Sequence, residues 1–199
     1  MAKKLKDTEV VTGVNSRLSY ANVWKPVPDN GGDLKYMTSI LIPKDDKATV
    51  DAINKAIDAA IKQDASKFGG KVPAKTNLKL PLRDGDTERP EDENYKGHYF
   101  LNAKSSKAPQ IARAYKVDGK FPRIEDESEV YSGCYCRVKL NFYAYNTNGN
   151  RGIAVGLGNI QKIKDGTPFG GMTNAEDDFD EIEADDDNLD FLNTDDLPF

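Results

Sequence analysis

Six residues at alternate positions, Tyr135, Arg137, Lys139, Asn141, Tyr143 and Tyr145, put three phenolic rings and two cations on one side of an extended segment. The residues between them, Cys134, Cys136, Val138, Leu140, Phe142 and Ala144, are apolar, so a strand over 131–145 turns its other face to a core. Rings beside cations offer two complementary interactions. An aromatic plane stacks on an unpaired nucleobase, at roughly 1–3 kcal/mol per base, while Lys and Arg neutralise phosphates. The same alternation also describes an outer sheet surface whose cations meet only water, and the segment alone admits both readings. A second mixed region contains Tyr99, Lys104, Lys107, Arg113 and Tyr115, and Trp24 with Lys25 stands just before a Pro-rich turn where a loop contact could form. Tyr20, Tyr36, Tyr95, Phe100, Phe121 and Tyr131 add further rings, and about half of the twelve candidate rings are expected in the core.

Nucleophile-and-base catalysis would have to use the single His98, which lies between Gly97 and Tyr99 at an expected strand start and reads as a surface or groove residue. Cys134 and Cys136, two residues apart on one strand face, exclude a disulfide framework. With His98 they make three ligands, one short of a closed zinc site and without Cys-x-x-Cys spacing, so both thiols read as core. Gly149-Asn150-Arg151-Gly152 lacks the Gly-Lys-Ser/Thr ending of a phosphate-binding loop. No catalytic residue, metal ligand or cofactor is assigned. Asp84, Asp86, Glu91 and Asp92 keep a metal-dependent nuclease open as an alternative.

The elements that must position these residues follow from pattern. Residues 10–18 and 34–42 read as strands, the second with Leu34, Tyr36, Thr38, Ile40 and Ile42 on one face, joined through a turn at 26–32 that contains Pro26, Pro28, Asn30 and two glycines. Asp45 or Asp46 can cap a helix in which Val50, Ile53, Ile57 and Ile61 recur every three or four residues, and Phe68-Gly69-Gly70 closes it. Residues 71–97 form a long irregular connection, which in a compact domain points to function or mobility. Strands follow at 99–104 and 111–116, then the 131–145 strand and, after a hairpin loop at 146–150, a return strand over 151–163.

Charge is distributed unevenly. Twelve of the 33 acidic residues and none of the 28 Lys and Arg lie in 175–199, so a body near +7 carries a tail near −12. A basic body suits a polyphosphate partner, and a tethered acidic segment is its natural competitor. The chain ends Asp195-Asp196-Leu197-Pro198-Phe199, acids followed by an apolar terminus. This ending resembles the C-terminal tip of bacterial and phage single-stranded-DNA-binding proteins. Tyr95-Lys96-Gly97-His98-Tyr99-Phe100-Leu101-Asn102-Ala103-Lys104 and Gly158-Asn159-Ile160-Gln161-Lys162-Ile163 resemble the phage members, and the likeness extends over most of residues 10–170.

The resemblance implies a mainly β, OB-fold-like five-stranded barrel with one internal amphipathic helix, long loops and a disordered acidic tail. The expected division is a DNA-binding domain over 1–174 and a flexible tail over 175–199. It further implies a non-catalytic protein that binds single-stranded DNA and, through Asp195, Asp196, Leu197, Pro198 and Phe199, recruits replication and recombination proteins. A non-nucleic-acid interaction protein with a solubilising tail is the other alternative, and a homodimer is left open. No apolar run nears the roughly 18 residues that span a bilayer, and the N-terminus lacks a signal-peptide stretch, so a cytoplasmic protein is expected, in the host cell if phage-encoded.

Overall fold

The computed structural model describes residues 4–147 and 149–170. The acidic segment 175–199 and its tip Asp195, Asp196, Leu197, Pro198 and Phe199 lie outside the described residues. β1 (Glu9–Val11), β2 (Arg17–Pro28) and β3 (Leu34–Pro43) precede α1 (Lys47–Gln63). β4 (Arg83–Asp84) and the single-turn α2 (Gly85–Glu88) sit in the long connection, before β5 (His98–Ser105), β6 (Ile111–Arg113), β7 (Tyr135–Thr147) and β8 (Asn150–Lys164).

Neighbouring strands run β7-β2-β3-β5-β8, and β8 pairs back onto β7, closing a five-stranded ring. All ring pairings are antiparallel except β5 with β8. Numbered along the chain, the ring strands follow one another as first, second, third, fifth and fourth, which is the barrel of the OB fold. Its interior is filled by Leu18, Val23, Ile40, Ile42, Leu101, Ala103, Val138, Leu140, Phe142, Val155 and Ile160. The alternation read in 134–144 is therefore the inner face of β7, and both Cys134 and Cys136 are fully buried, their sulfurs 3.5 Å apart.

Asp46 caps α1 by accepting a hydrogen bond from the Thr49 amide at 3.1 Å. Ile53, Ala56, Ile57, Ala60 and Ile61 form its buried stripe against the barrel, each isoleucine contributing roughly 1.5–3 kcal/mol by leaving water. A short 3₁₀ turn follows, and Gly69, at φ 83°, ends it in the left-handed region that glycine enters without strain.

Four boundaries differ from the pattern-based expectation. Residues 10–18 are two strands, because the chain turns at 12–16, where Thr12 exchanges hydrogen bonds with the Val138 backbone. β2 continues through Pro26 and Pro28. Only β3 pairs with it there, so the missing proline N–H groups interrupt no ladder. The turn itself is 29–33, organised by the Asp29 carboxylate, which accepts from the amides of Gly31 and Asp33. β7 starts at Tyr135, residues 131–134 forming a turn ahead of it. Finally, 111–116 is a strand only to Arg113. Beyond it the chain makes a hairpin arm that returns at 120–124, with Val117 and Lys120 exchanging backbone hydrogen bonds around Asp118 and Gly119, at φ 49° and 76°. That is the Asp-Gly turn whose positive φ values match strand twist.

Candidate nucleic-acid interface

In an OB barrel, oligonucleotides meet the outer face of the second and third strands and nearby loops. Here those strands are β3 and β5, flanked by β2 and by the 29–33 turn. The register defines three rows of outward residues across β2, β3 and β5: Arg17, Leu41 and Phe100; Ser19, Ser39 and Asn102; Asn22, Met37 and Lys104. The first row is roofed. Tyr95 and Phe169 pack on Leu41 and Phe100, with the Tyr95 and Phe100 rings edge to face at 5.0 Å. Arg83 lies over Phe100 at 4.8 Å, and Arg17 lies over Phe169 at 4.3 Å while donating to the carbonyls of Gly133 and Thr167.

The second row is a polar seam in which Tyr95 OH donates to Ser19 Oγ at 3.2 Å and Ser39 Oγ donates to Asn102 Oδ1 at 2.7 Å. The third row is open. Lys104 there is exposed and pairs with Asp29 at 2.7 Å, a contact that holds the Asp29 carboxyl below its ordinary range. Lys35 reaches Ser106 Oγ at 2.9 Å beside it.

The roof, residues 83–97, is anchored by Lys44. Its ammonium contacts Asp84 at 2.6 Å and Asp86 at 2.7 Å, and these bonds raise its pKa to about 12. Asp86 is held low, first by Lys44 and then by the Gly97 amide. Gly85 lets the roof close on itself and on the start of β5, because a Cβ there would fall 2.3 Å from the Tyr95 carbonyl oxygen and 2.8 Å from that of His98. Of the carboxylates that kept a nuclease open, Asp84 and Asp86 are engaged by Lys44 and backbone amides, and Asp92 accepts from the amide and side chain of Asn94. Among the described residues, no group of three His, Cys, Asp or Glu comes together to hold a metal.

The residues selected from sequence do not converge on one groove. Lys104 stands on the open face, with exposed Lys107 just past the end of β5. Tyr99 shares strand parity with Leu101 and Ala103, so it lies at the barrel rim under Lys44, 5.1 Å away, and off the outer face. Trp24 belongs to β2, where no loop exists. Its ring packs on the core and its Nε1–H donates to the Val130 carbonyl at 2.9 Å, whereas Lys25 is exposed and pairs with Glu127 at 3.2 Å. Tyr135 ends the roofed row between Arg17 at 5.0 Å and Lys164 at 4.5 Å.

Arg137, Lys139, Tyr143 and Tyr145 lie on the outer side of β7. Arg137 Nε donates to the Thr12 carbonyl, and Lys139 pairs with Glu9 of β1 at 3.0 Å. Tyr143 and Tyr145, with Lys67 and Asn146, line a shallow depression of about 440 Å³. Arg113 is held by a bidentate pair with Glu129, both contacts 2.8 Å, and Tyr115 stands exposed on the hairpin arm with Phe121, over which Lys116 lies at 5.1 Å. His98 Nδ1–H donates to the Lys96 carbonyl at 2.7 Å.

Two residues outside that selection stand beside the open face. Tyr20 is 58% exposed, and Arg89 Nη1 donates to its hydroxyl at 3.3 Å. A phase change signals Tyr20, since the inward residues Leu18 and Val23 are an odd number apart and a strict strand would need an even one. No local pattern marks Arg89.

A family model described as the ssDNA-binding protein of Enterobacter phage Enc34 matches residues 8–189. The chain is 29% identical over 177 residues to protein p50 of Acyrthosiphon pisum secondary endosymbiont phage 1, covering 84% of this chain and 91% of that one. The solved structure of the bacteriophage Enc34 single-stranded DNA-binding protein in complex with ssDNA is similar at TM-score 0.65 and 27% identity, over 85% of this chain and 97% of the other. Bacteriophage T7 gp2.5, a single-stranded DNA-binding protein, shares the fold at TM-score 0.55 and 18% identity, over 87% and 95%. The expectation of an OB barrel of phage type is met, and the chain belongs to the family of the Enterobacter phage Enc34 ssDNA-binding protein.

Proposed function

We propose that the protein binds single-stranded DNA without sequence preference and coats exposed strands during phage DNA replication, recombination or repair, as a binding protein without catalysis. The open outer face of β2, β3 and β5 carries this reading. It is polar at Asn22 and Asn102, it presents Lys35 and Lys104, each paired with an aspartate of the 29–33 turn that a phosphate would displace, and it lies where OB barrels take oligonucleotides. Lys107, the β7 face with Arg137, Lys139, Tyr143 and Tyr145, and the arm with Tyr115 are proposed as flanking contacts along the strand. Binding should weaken steeply between low and physiological salt, because cations that neutralise phosphates release counterions. Duplex DNA should bind less well, its bases being hidden from aromatic planes. Titration of intrinsic fluorescence with oligo(dT) across a salt series tests both. A salt-independent constant would support the non-nucleic-acid interaction protein instead, and equal affinity for duplex would favour a generic basic protein that binds any polyphosphate.

The acidic tail completes the proposal. Asp195, Asp196, Leu197, Pro198 and Phe199 are read as a partner-recruiting tip, in which the Phe199 ring fills an apolar pocket while the aspartates meet basic residues at its rim. Pull-downs with intact and Phe199-deleted protein test the tip, and identical sets of captured replication proteins would remove it.

A further inference from the structure

Among the described residues, only Tyr20 and Asp118 have positive φ without being glycine. Asp118 is accounted for by its Asp-Gly turn. Tyr20, at φ 48°, sits within β2, in a conformation that residues with a Cβ avoid and that favours function when it persists. The local cause is a bulge. Ser19 pairs with Ser39 and Asn22 with Met37, so Tyr20 and Ala21 together oppose the single Thr38. Such a bulge re-aims a side chain. Ala21 turns to the core, while the Tyr20 ring is carried outward beside the Ser19–Ser39–Asn102 seam.

Packing gives no reason for a large ring there. Tyr20 is absent from both buried clusters and keeps 58% of its surface exposed. What it touches is Arg89, whose guanidinium lies 5.7 Å from the Tyr20 ring centre, 5.2 Å from that of Tyr95 and 5.9 Å from that of Phe100. Tyr95 and Phe100 are fully buried, so they fix Arg89 from behind. Among the described residues no carboxylate comes within 4.0 Å of Arg89, unlike Arg83, paired with Glu88, and Arg113, paired with Glu129. A cation seated on two buried rings, with no ion-pair partner within 4.0 Å among the described residues and only the longer-range field of Asp92 acting on it, thus stands against an exposed ring.

We infer that Tyr20 and Arg89 form one station for single-stranded nucleic acid: an unpaired base stacks on the free face of Tyr20, and Arg89 takes the adjoining phosphate. The inference deepens the single-stranded-DNA reading and rests on it. Stacking there is indifferent to base identity, since every base offers a π-face. The contacts of Arg89 with Tyr95 and Phe100 serve the same end, because they keep the cation beside the ring it accompanies.

Glycine accepts a positive φ, so Tyr20→Gly should melt at or above the temperature of the parent protein. Affinity of Tyr20→Gly for labelled oligo(dT), read by anisotropy, should fall about tenfold. Tyr20→Asn, which also tolerates this backbone region, should behave alike, whereas Tyr20→Phe should restore most of the affinity because the ring is kept. On an abasic oligonucleotide the Tyr20→Gly variant and the parent should bind equally, and Arg89→Gln should lower the slope of log affinity against log salt by about one. Equal affinity of parent and Tyr20→Gly for oligo(dT), or a loss in Tyr20→Phe as large as in Tyr20→Gly, overturns the station while leaving single-strand binding intact. Absence of oligo(dT) binding by the parent protein sinks the underlying reading and the station with it.

Discussion

Ser16 is fully buried, and its Oγ finds no hydrogen-bond partner among the described residues. A hydroxyl in that position loses its water without replacement, at a cost of roughly 1–3 kcal/mol. Ser16→Ala should therefore leave stability unchanged or raise it by about 1 kcal/mol, seen as a higher urea midpoint at constant slope. A lowered midpoint would mean that the hydroxyl is satisfied in solution. Residue-scale inference from sequence succeeded where one neighbour decides the outcome: Cys134 and Cys136 alternate with polar residues, and core burial followed. Partners remote in sequence were invisible to it. Trp24 looked available for stacking, yet the Val130 carbonyl takes its indole N–H. Arg113 looked free for phosphate, yet Glu129 holds it from across the arm.

The roof over the first row is an element whose anchorage is electrostatic. Asp86 has a folded pKa below its ordinary 3.8, so its contribution is complete above that value and is lost as pH falls through the lower folded value. Amide exchange at Gly97, which donates to Asp86, should accelerate in that acid window, and Lys44→Met should accelerate it at neutral pH as well. Unchanged protection in Lys44→Met would assign the anchorage to Tyr95 and Phe100 packing alone. Elements were legible wherever one periodicity persisted, as in α1 with its Asp46 cap and in β7 with its strict alternation. They were obscured where two signals conflicted. Pro26 and Pro28 read as a turn although an edge segment of β2 tolerates them, and the bulge at Tyr20 breaks the alternation that would have carried β2 past Leu18. The Asp118-Gly119 dipeptide was a readable hairpin signal that the 111–116 strand assignment passed over.

At the scale of the molecule, charge separation sets the behaviour. Phe169 packs on the roofed row of the proposed DNA face, six residues in sequence before the acidic segment 175–199 begins. A flexible 25-residue chain has an r.m.s. reach of roughly 25–30 Å, against a radius of gyration of about 15 Å for a body of this size. Deleting 175–199 should raise affinity for single strands, most at low salt where screening is weakest. Deleting Phe199 alone should barely change it, because a new carboxylate replaces the old one. Equal affinities of the full and shortened chains at low salt would rule out competition by the tail. The ring itself has an uneven perimeter. β2, β3 and β5 form one run of antiparallel pairs, β7 and β8 form another, and the two runs meet through single register pairs, Lys104 with Gly156 and Arg17 with Tyr135. Arg17 and Tyr135 stand 118 residues apart, against at most 69 between partners within β2, β3 and β5, so closure of the ring is expected to follow the pairing within each run. Val138→Ala, within the second sheet, should slow refolding, whereas Ala103→Gly, beside the junction, should mainly speed unfolding in stopped-flow chevrons. The barrel would then breathe along its β5–β8 line, next to the open row where Lys104 stands.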